Sequence, residues 1–369
     1  MLGLKYLFKN LNFLFNEKFD IVFYSEGIHY QKFFINLAEN LEKLNYKILY
    51  MSSEKKDIIN NPNIKNLYAS KGIFLSILFN FIKSKILITT TSDIGNNILK
   101  KNQKIFYLYF FHSPMSTHKS YTPKAFNNYD AILCNGEYQF NEILELEDLN
   151  SVKNKILLKT GYLYFDELKK HENYKCDDQI LVAPGWSKLN DDKSLENYEN
   201  VIEYLLKNTE YKIVFRPHIE QIKRNKEIID RINNKFFNYN KFIFDQSKDN
   251  LDNLKKSKFL ITNKSGISIE FTLIFKRPVF YIHQSEKIHN FNFKKINQIP
   301  LEDQIEDNFG IKLTKENYSK VLKDLNVIYE KFSFHSENIE LFKEKNFYNF
   351  GEATKFSLEE IKKILINFS

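Results

Sequence analysis

The sequence predicts an α/β protein made of two Rossmann-like domains that face each other across a cleft. The chain has 369 residues, which is more than one hydrophobic core usually supports. Hydrophobic residues make up 43% of it and charged residues 27%, which is typical of packed globular domains. Short apolar runs alternate along the chain with longer stretches of helical periodicity, and this alternation indicates βαβ units with parallel sheets.

The apolar runs divide into two series on either side of a polar stretch, KKHENYKCDD, at residues 169–178. The first series predicts strands at residues 20–24, 47–51, 85–90, 105–110, 131–134 and 156–159. The second predicts strands at residues 179–183, 211–215, 242–244, 259–262 and 279–282. Helical periodicity lies between them, for example at residues 29–44 and 195–207. We therefore expect one domain at residues 1–170 and another at 171–369, with a last helix near residues 358–367 that can pack back on the first domain.

The charge and cysteine content narrow the choice of partners. A net charge of +8 suits an anionic partner such as nucleic acid, an acidic membrane surface or a phosphate-bearing substrate. The sequence has no dense Lys/Arg block and no nucleic-acid-binding motif, so nucleic acid is the least supported of these. Two cysteines, Cys134 and Cys176, are too few for a disulfide framework, which favours a reducing, cytoplasmic location.

No apolar run approaches the ~20 residues that a membrane-spanning helix needs, so the chain is not expected to cross a membrane. The N-terminal segment is amphipathic, and its apolar residues share one helical face. They are Leu4, Leu7, Phe8, Leu11, Leu14 and Phe15. The segment predicts either an interfacial anchor, which would make the protein peripheral on the membrane, or a helix packed on the first domain.

The candidate catalytic and binding residues follow the carboxyl ends of predicted strands, which is where open α/β sheets bind their ligands. His112 and Ser113 follow the aromatic run IFYLYF in the segment FHSPMSTHKSY. A neutral imidazole there can take a proton from a hydroxyl. Arg216 and His218 follow the run YKIVF, where a guanidinium can bind phosphate and an imidazole can donate to an oxyanion.

A third candidate segment is ITNKSGISIE, in which Thr262 and Asn263 are expected to end a strand, and Ser265 and Gly266 to begin a helix. Backbone N–H groups at a helix start can bind a diphosphate, although Ser265 also fits an ordinary helix cap. The segment APGWS at residues 183–187 places Gly185 in a possible donor-binding loop. Asp166, in GYLYFD, is either a cap or a cleft residue.

Other classes of site lack support in the sequence. It has no glycine-rich dinucleotide motif and no P-loop, and no His-Glu-x-x-His or clustered carboxylates. We therefore expect neither a cofactor nor a protein-held metal.

The order and spacing of these motifs resemble the CDP-glycerol glycerophosphotransferase family. The segments that carry the resemblance are HSPMSTHKSYTPKAFNNYDAILCNG, TGYLYFDEL, ILVAPGW, VFRPH and FLITNKSGISIEFTLIFKRPVFYI, spanning roughly residues 105–282. The resemblance implies a GT-B fold and transfer of glycerol phosphate from a CDP-linked donor to a hydroxyl of a lipid-linked or glycan acceptor. It implies His112 as the base, His218 as the group that stabilises the transferring phosphate with Arg216, and residues 262–266 as the donor's phosphate site.

Three positions depart from the family's pattern. Asn263 replaces an Asp, Gly266 replaces a second Ser, and Ser113 follows the histidine where Gly is more usual. These departures keep open a second enzymatic function, a nucleotide-sugar glycosyltransferase of capsule or lipooligosaccharide synthesis, in which Glu270 would bind the donor's ribose or sugar. A non-catalytic polymer-binding protein is a third possibility, and the presence of both His112 and His218 argues against it.

Overall fold

The protein consists of two parallel sheets, each covered by helices. The computed structural model describes residues 2–96, 99–185, 192–283 and 288–367. The strands are β1 (Phe19–Ser25), β2 (Ile48–Ser52), β3 (Lys65–Tyr68), β4 (Ser84–Thr89), β5 (Phe106–Phe110), β6 (Ala131–Cys134), β7 (Ile156–Lys159), β8 (Gln179–Val182), β9 (Lys212–Phe215), β10 (Phe242–Phe244), β11 (Phe259–Thr262), β12 (Val279–Ile282) and β13 (Gly310–Leu313).

Helices connect nearly every pair of strands. They are α1 (Leu2–Asn16), α2 (Ile35–Lys43), α3 (Ile73–Phe81), α4 (Thr117–Ser120), α5 (Glu137–Asn150), α6 (Phe165–Lys169), α7 (Asp192–Asn208), α8 (Ile219–Arg224), α9 (Lys226–Phe236), α10 (Leu251–Lys256), α11 (Gly266–Glu270), α12 (Leu301–Phe309), α13 (Tyr318–Val321), α14 (Leu325–Phe332), α15 (Ser336–Asn346) and α16 (Ala353–Asn367). Shorter 3₁₀ turns include Ile28–Phe33 and Phe293–Lys295, and a π-helical turn, Phe271–Phe275, continues α11.

The first sheet has seven strands in the order β3-β2-β1-β4-β5-β6-β7, and the second has six in the order β10-β9-β8-β11-β12-β13. Neighbouring strands pair in parallel in both sheets. Central strands such as β4 and β11 are buried on both faces, which is why they are continuous apolar runs in the sequence. The predicted fold class, two Rossmann-like α/β domains, is confirmed.

Two strands and one helix boundary differ from the sequence prediction. The edge strands β3 and β13 were not predicted, because Lys65 and Asn66 are exposed and β13 is only partly buried. The single helix expected at residues 29–44 is instead a 3₁₀ turn, Ile28–Phe33, followed by α2. The break at Phe34 turns the preceding segment toward the second sheet.

The last helix lies against the first sheet. Ile361, Ile364 and Leu365 of α16 belong to the apolar cluster that includes Ile21 and Ile48 of β1 and β2. Asp166 fixes the start of this helix, because its carboxylate accepts hydrogen bonds from the backbone N–H groups of Ala353 at 2.8 Å and Thr354 at 2.7 Å. Asp166 is therefore a cap, and the helix that it caps is α16.

The N-terminal helix packs on the first domain through only part of its apolar face. Leu7 and Leu14 of α1 are buried, and Leu11 lies against the same cluster. Phe8 and Phe15 are instead 65% and 53% exposed, and the Phe15 ring also contacts Phe81, with centroids 4.9 Å apart. Among the described residues, no helix combines the length and apolarity that spanning a bilayer requires.

Candidate active site

The candidate site lies where the strand order of each sheet reverses. In the first sheet this point is between β1 and β4, and in the second it is between β8 and β11. Loops that leave the carboxyl ends of such strands diverge in opposite directions and leave a crevice. His112 follows β5, the strand that pairs with β4. In the second domain, Gly185 follows β8 and Asn263 follows β11.

Three of the predicted residues of the second domain hold its crevice loops together. Thr262 is fully buried, and its hydroxyl donates to the carbonyl of Ala183 at 2.6 Å. The Asn263 side chain accepts from the backbone N–H of Gly185 at 2.8 Å. A Cβ atom on Gly185 would lie only 2.6 Å from Asn263 Oδ1, so a larger residue there would displace the Asn263 amide from this hydrogen bond. Thr262 and Asn263 thus shape the loops rather than project freely into the crevice. Trp186 and Ser187, the rest of the predicted donor loop, lie outside the described residues.

The start of α11 meets the loop of the first domain. Ser265 precedes the helix, and its hydroxyl lies 3.3 Å from that of Thr262. A Cβ atom on Gly266 would be 2.5 Å from Ser113 Oγ. The Ser113 hydroxyl is buried without a hydrogen-bond partner among the described residues, so it faces the helix start with its hydrogen-bonding capacity unused.

His112 is oriented by the first domain. Its Nδ1 lies 2.6 Å from Thr90 Oγ1, and Thr90 follows β4. The ring packs edge-on against Tyr30, with centroids 5.1 Å apart, and also lies near Phe33. When Nδ1–H donates to Thr90, the lone pair is on Nε2, the nitrogen that a base would use.

His218 has the opposite hydrogen-bonding arrangement. It caps α8, and its Nδ1 accepts from the backbone N–H of Glu220 at 3.1 Å. The neutral ring therefore carries its proton on Nε2, which makes that nitrogen a donor. His218 thus presents Nε2 as a donor, and His112 presents Nε2 as an acceptor in the tautomer whose Nδ1–H donates to Thr90.

Arg216 stabilises a loop beside the crevice. Its guanidinium pairs with Asp245, and it donates to the hydroxyl and the carbonyl of Ser247, each at 2.8 Å. This loop continues to Asp249 and Asn250, which contact the first domain. The Arg216 side chain is only 15% exposed, so its pairing with Asp245 leaves little of the guanidinium accessible to a phosphate.

Lys32 is a site residue that the sequence did not reveal. Its ammonium group bonds Asn250, lies 3.6 Å from Asp249 Oδ1 and sits 4.5 Å from the centre of the Tyr164 ring. Burial lowers the pKa of Lys32, and the carboxylates of Glu270 and Asp249 oppose this effect. In the sequence, only the position of Lys32 shortly after β1, a strand at the reversal point of the first sheet, could have indicated a role in the site.

Glu270 is buried between the domains. It is 5% exposed, and Tyr162 donates a hydrogen bond to its Oε1 at 2.8 Å. Burial raises the pKa of Glu270 to about 7, although the charge of Lys32 and the Tyr162 hydrogen bond both act to lower it. A carboxyl group that changes protonation near neutral pH is a feature of many functional sites.

A second contact joins the His112 loop to the other domain. The Ser116 N–H donates to Glu302 at 3.0 Å, and the Ser116 hydroxyl accepts from Leu301 N–H at 2.6 Å, so a residue of the first domain caps α12. In the same loop, His118 Nδ1 lies 3.1 Å from Glu142 Oε1, and both side chains are fully buried. The loop that carries His112 is therefore fixed at its far end by both domains.

Solved structures share this arrangement of two parallel sheets around a cleft. The chain is similar to S. aureus MnaA in a co-structure with UDP, with a TM-score of 0.64 and 14% identity over 94% of this chain and 97% of that one. It is also similar to the UDP-GlcNAc 2-epimerase from Neisseria meningitidis bound to UDP-GlcNAc, with a TM-score of 0.62 and 13% identity over 94% of this chain and all of that one. The chain has the GT-B fold.

A glycosyltransferase from Rickettsia africae shares the GT-B fold as well, with a TM-score of 0.55 and 14% identity over 95% of this chain and 100% of that one. At these identities the likeness extends to the fold alone. No protein-family model and no curated protein matches the chain. The resemblance to glycerophosphotransferases therefore depends on its motifs.

The contact between the two domains brings the predicted loops of both domains together. Ser113 of the first domain lies against Gly266 at the start of α11, and His112 precedes it in the same loop. Across residues 2–96, 99–185, 192–283 and 288–367, no cluster of three His, Cys, Asp or Glu side chains could hold a metal ion.

Proposed function

We propose that this GT-B protein transfers a phosphate-linked group from a nucleotide-linked donor to a hydroxyl acceptor. The observation that carries the proposal is the meeting of the His112–Ser113 loop with the start of α11 at the reversal point of the second sheet. The donor's diphosphate would lie against this helix start and the backbone of Gly185. The acceptor hydroxyl would approach from the first domain.

His112 acts as the base in this proposal. Its Nε2 takes the proton of the acceptor hydroxyl while that oxygen forms a bond to the donor's terminal phosphorus. The bond between this phosphorus and the bridging oxygen breaks, and the nucleoside monophosphate leaves with the oxygen and the electron pair. His218 donates its Nε2–H to the charge that develops on the phosphate oxygens.

In its finer form, the proposal assigns CDP-glycerol as the donor and a lipid-linked or glycan polymer as the acceptor. Support comes from the ordered motifs around His112, Arg216, His218 and residues 262–266. The proposal gives the two histidines complementary roles, which a non-catalytic polymer-binding protein would not need.

The alternative donor is a nucleotide sugar. The likeness in fold to proteins named for UDP-GlcNAc epimerisation and for glycosyl transfer favours this possibility. The departures at Asn263 and Gly266 favour it too, because both fall within the residues that the resemblance implies for the donor's phosphates. Glu270 would then lie close to the donor's ribose or sugar.

Binding and turnover with a donor panel test these proposals. Purified protein would be titrated with CDP-glycerol, UDP-GlcNAc, CDP and UDP, and product release would be followed by chromatography with a polyol-phosphate or glycan acceptor. We expect CDP-glycerol to bind and to yield CMP. Release of UDP from UDP-GlcNAc, with CDP-glycerol inert, would replace the glycerophosphotransferase assignment by glycosyl transfer. Binding of none of the four compounds would contradict both.

We also propose that the protein resides in the cytoplasm on the inner face of the membrane, where a lipid-linked acceptor is present. Phe8 and Phe15 of α1 are exposed, and Ile73 at the start of the adjacent α3 is 73% exposed. Lys9 and Lys71 lie exposed near these residues in the sequence. Apolar and basic side chains together favour an anionic lipid surface.

A further inference from the structure

Tyr162 connects the buried carboxylate of the second domain to the backbone of the candidate base. Its hydroxyl lies 2.8 Å from Glu270 Oε1 and 3.1 Å from the carbonyl oxygen of His112. Tyr162 is 1% exposed and Glu270 is 5% exposed. Both distances permit a hydrogen bond.

One phenolic hydrogen cannot be donated fully to two acceptors. When Glu270 is ionised it can only accept, so the hydrogen of Tyr162 points to Glu270. When Glu270 is protonated, its own O–H can donate to the Tyr162 oxygen. The phenolic hydrogen is then available for the carbonyl of His112. The two arrangements exchange by rotation of O–H groups, without movement of any side chain.

Both protonation states of Glu270 are accessible near neutral pH. The charged or titratable groups that face its carboxyl are Lys32, Asp249, Tyr162 and Tyr164. Burial raises the pKa of Glu270 to about 7, and Asp249 adds to the increase, whereas Lys32 and the Tyr162 hydrogen bond reduce it. Burial and the charge of Glu270 hold the pKa of Tyr162 well above its usual range, so the phenol keeps its proton.

We propose that Tyr162 is a positioning residue that transmits the protonation state of Glu270 to the peptide carbonyl of His112. Protonation of Glu270 gives that carbonyl a hydrogen bond and polarises the His112–Ser113 peptide, which joins the candidate base to the serine that faces α11. The inference rests on the proposed function in that His112 is taken as the base. It adds a coupling between the domains that the transfer reaction does not itself require.

The sequence offers a selective spectroscopic probe of this peptide. Only two His-Ser dipeptides occur, at residues 112–113 and 335–336. Protein labelled with ¹³C at the histidine carbonyl and with ¹⁵N at serine therefore gives two carbonyl-to-nitrogen correlations, which a Ser336→Ala variant assigns. His335 packs against Phe309 and Phe332, so the second signal serves as an internal control.

The experiment compares pH titrations from pH 5.5 to 8.5 of the wild type, Tyr162→Phe and Glu270→Gln, without any donor. In the wild type we expect the 112–113 signal to shift with a step near pH 7. The step should be absent from both variants, while any step from the His112 imidazole itself persists in all three proteins. The 335–336 signal should be the same in all three, which also reports that the variants fold.

A shift of the 112–113 signal near pH 7 that is as large in Tyr162→Phe or Glu270→Gln as in the wild type would overturn the coupling, whereas a smaller shift common to all three proteins belongs to the His112 imidazole. The result is separable from the proposed function, because the titration needs no substrate. If His112→Ala retains full activity while the step is lost in both variants, the transfer mechanism fails and the coupling stands. If the step is the same in the three proteins while His112→Ala is inactive, the coupling fails and the mechanism stands.

Discussion

The hydroxyl of Ser113 occupies the space beside Gly266 where a side chain would begin. A Cβ atom on Gly266 would lie 2.5 Å from Ser113 Oγ and 3.4 Å from Pro114 Cδ. These are two of the three positions at which the sequence departs from the glycerophosphotransferase pattern, with Ser in place of Gly and Gly in place of Ser. The departures are therefore complementary, because each residue makes room for the other across the cleft.

We expect substitutions at these two positions to be strongly non-additive. Gly266→Ala should lower the melting temperature and weaken nucleotide binding, because the new methyl group displaces the Ser113 hydroxyl. Adding Ser113→Gly should recover much of the lost stability. Thermal unfolding and nucleotide titration of both single variants and the double variant measure the coupling. Additive losses would show that the contact is unimportant.

Removal of the His112 imidazole should affect turnover more than binding. We expect His112→Ala to lower kcat by about 100-fold or more, since a general base typically contributes a factor of this size, with donor affinity little changed. Thr90→Val is the matched variant, because it keeps the ring and removes the hydroxyl that orients it; it should lower kcat less. A large loss of donor affinity in His112→Ala with unchanged kcat would contradict the assignment.

His218 allows its capping role to be separated from its proposed catalytic role. His218→Asn keeps an acceptor for the Glu220 N–H but removes the Nε2–H donor, whereas His218→Ala removes both. We expect both variants to lower kcat by about 100-fold. Only the Ala variant should lose stability, by about 1 kcal/mol in the free energy of unfolding. Denaturant unfolding and steady-state kinetics measure the two effects, and full activity in His218→Asn would remove His218 from the mechanism.

Most of the fold could be predicted because the central strands are buried on both faces. Their sequences are short, unbroken apolar runs, as in ILIT of β4 and FLIT of β11. The edge strands β3 and β13 carry polar residues on their exposed sides, so their sequences, KNLY and GIKL, do not differ from loops. An apolar run in the sequence indicates a strand that is buried on both faces, so this signal is weakest for the strands at the edges of a sheet.

The candidate site could be predicted only where a residue follows a recognisable strand. His112, Arg216 and Ser265 met this condition. Lys32 and Tyr162 depend on contacts with Asn250 and Glu270 that are 218 and 108 residues distant along the chain, and no local pattern encodes such an approach. Lys32 also lies in a segment whose periodicity predicted one continuous helix, whereas the 3₁₀ turn presents it to the other domain.

The buried His118–Glu142 pair predicts a pH dependence of stability. Burial alone would lower the pKa of His118, but the carboxylate of Glu142, 3.1 Å from the ring, outweighs burial and raises the pKa above its ordinary value of 6.5. A raised pKa in the folded state contributes stability that is fully present below pH 6.5 and is lost as the pH rises through the folded pKa. We expect the free energy of unfolding to fall over this interval in the wild type.

The decrease in the free energy of unfolding should be smaller in His118→Gln, and urea denaturation of both proteins at pH 6 and pH 8.5 measures it. Equal pH dependence in both proteins would exclude the pair as its source.

The membrane proposal is best tested by substitution, because deleting α1 would expose the core that Leu7 and Leu14 cover. We expect Phe8→Ser with Phe15→Ser to lower binding to vesicles of phosphatidylglycerol and phosphatidylcholine by at least about tenfold, since two exposed aromatic side chains would no longer enter the interface. Phe334→Ser is the matched control, because Phe334 is 83% exposed on the second domain. High salt should release the wild type, since Lys9 and Lys71 then lose their attraction to anionic lipid. Co-sedimentation measures binding, and equal binding by the double variant and the wild type would show that α1 serves only to complete the first domain.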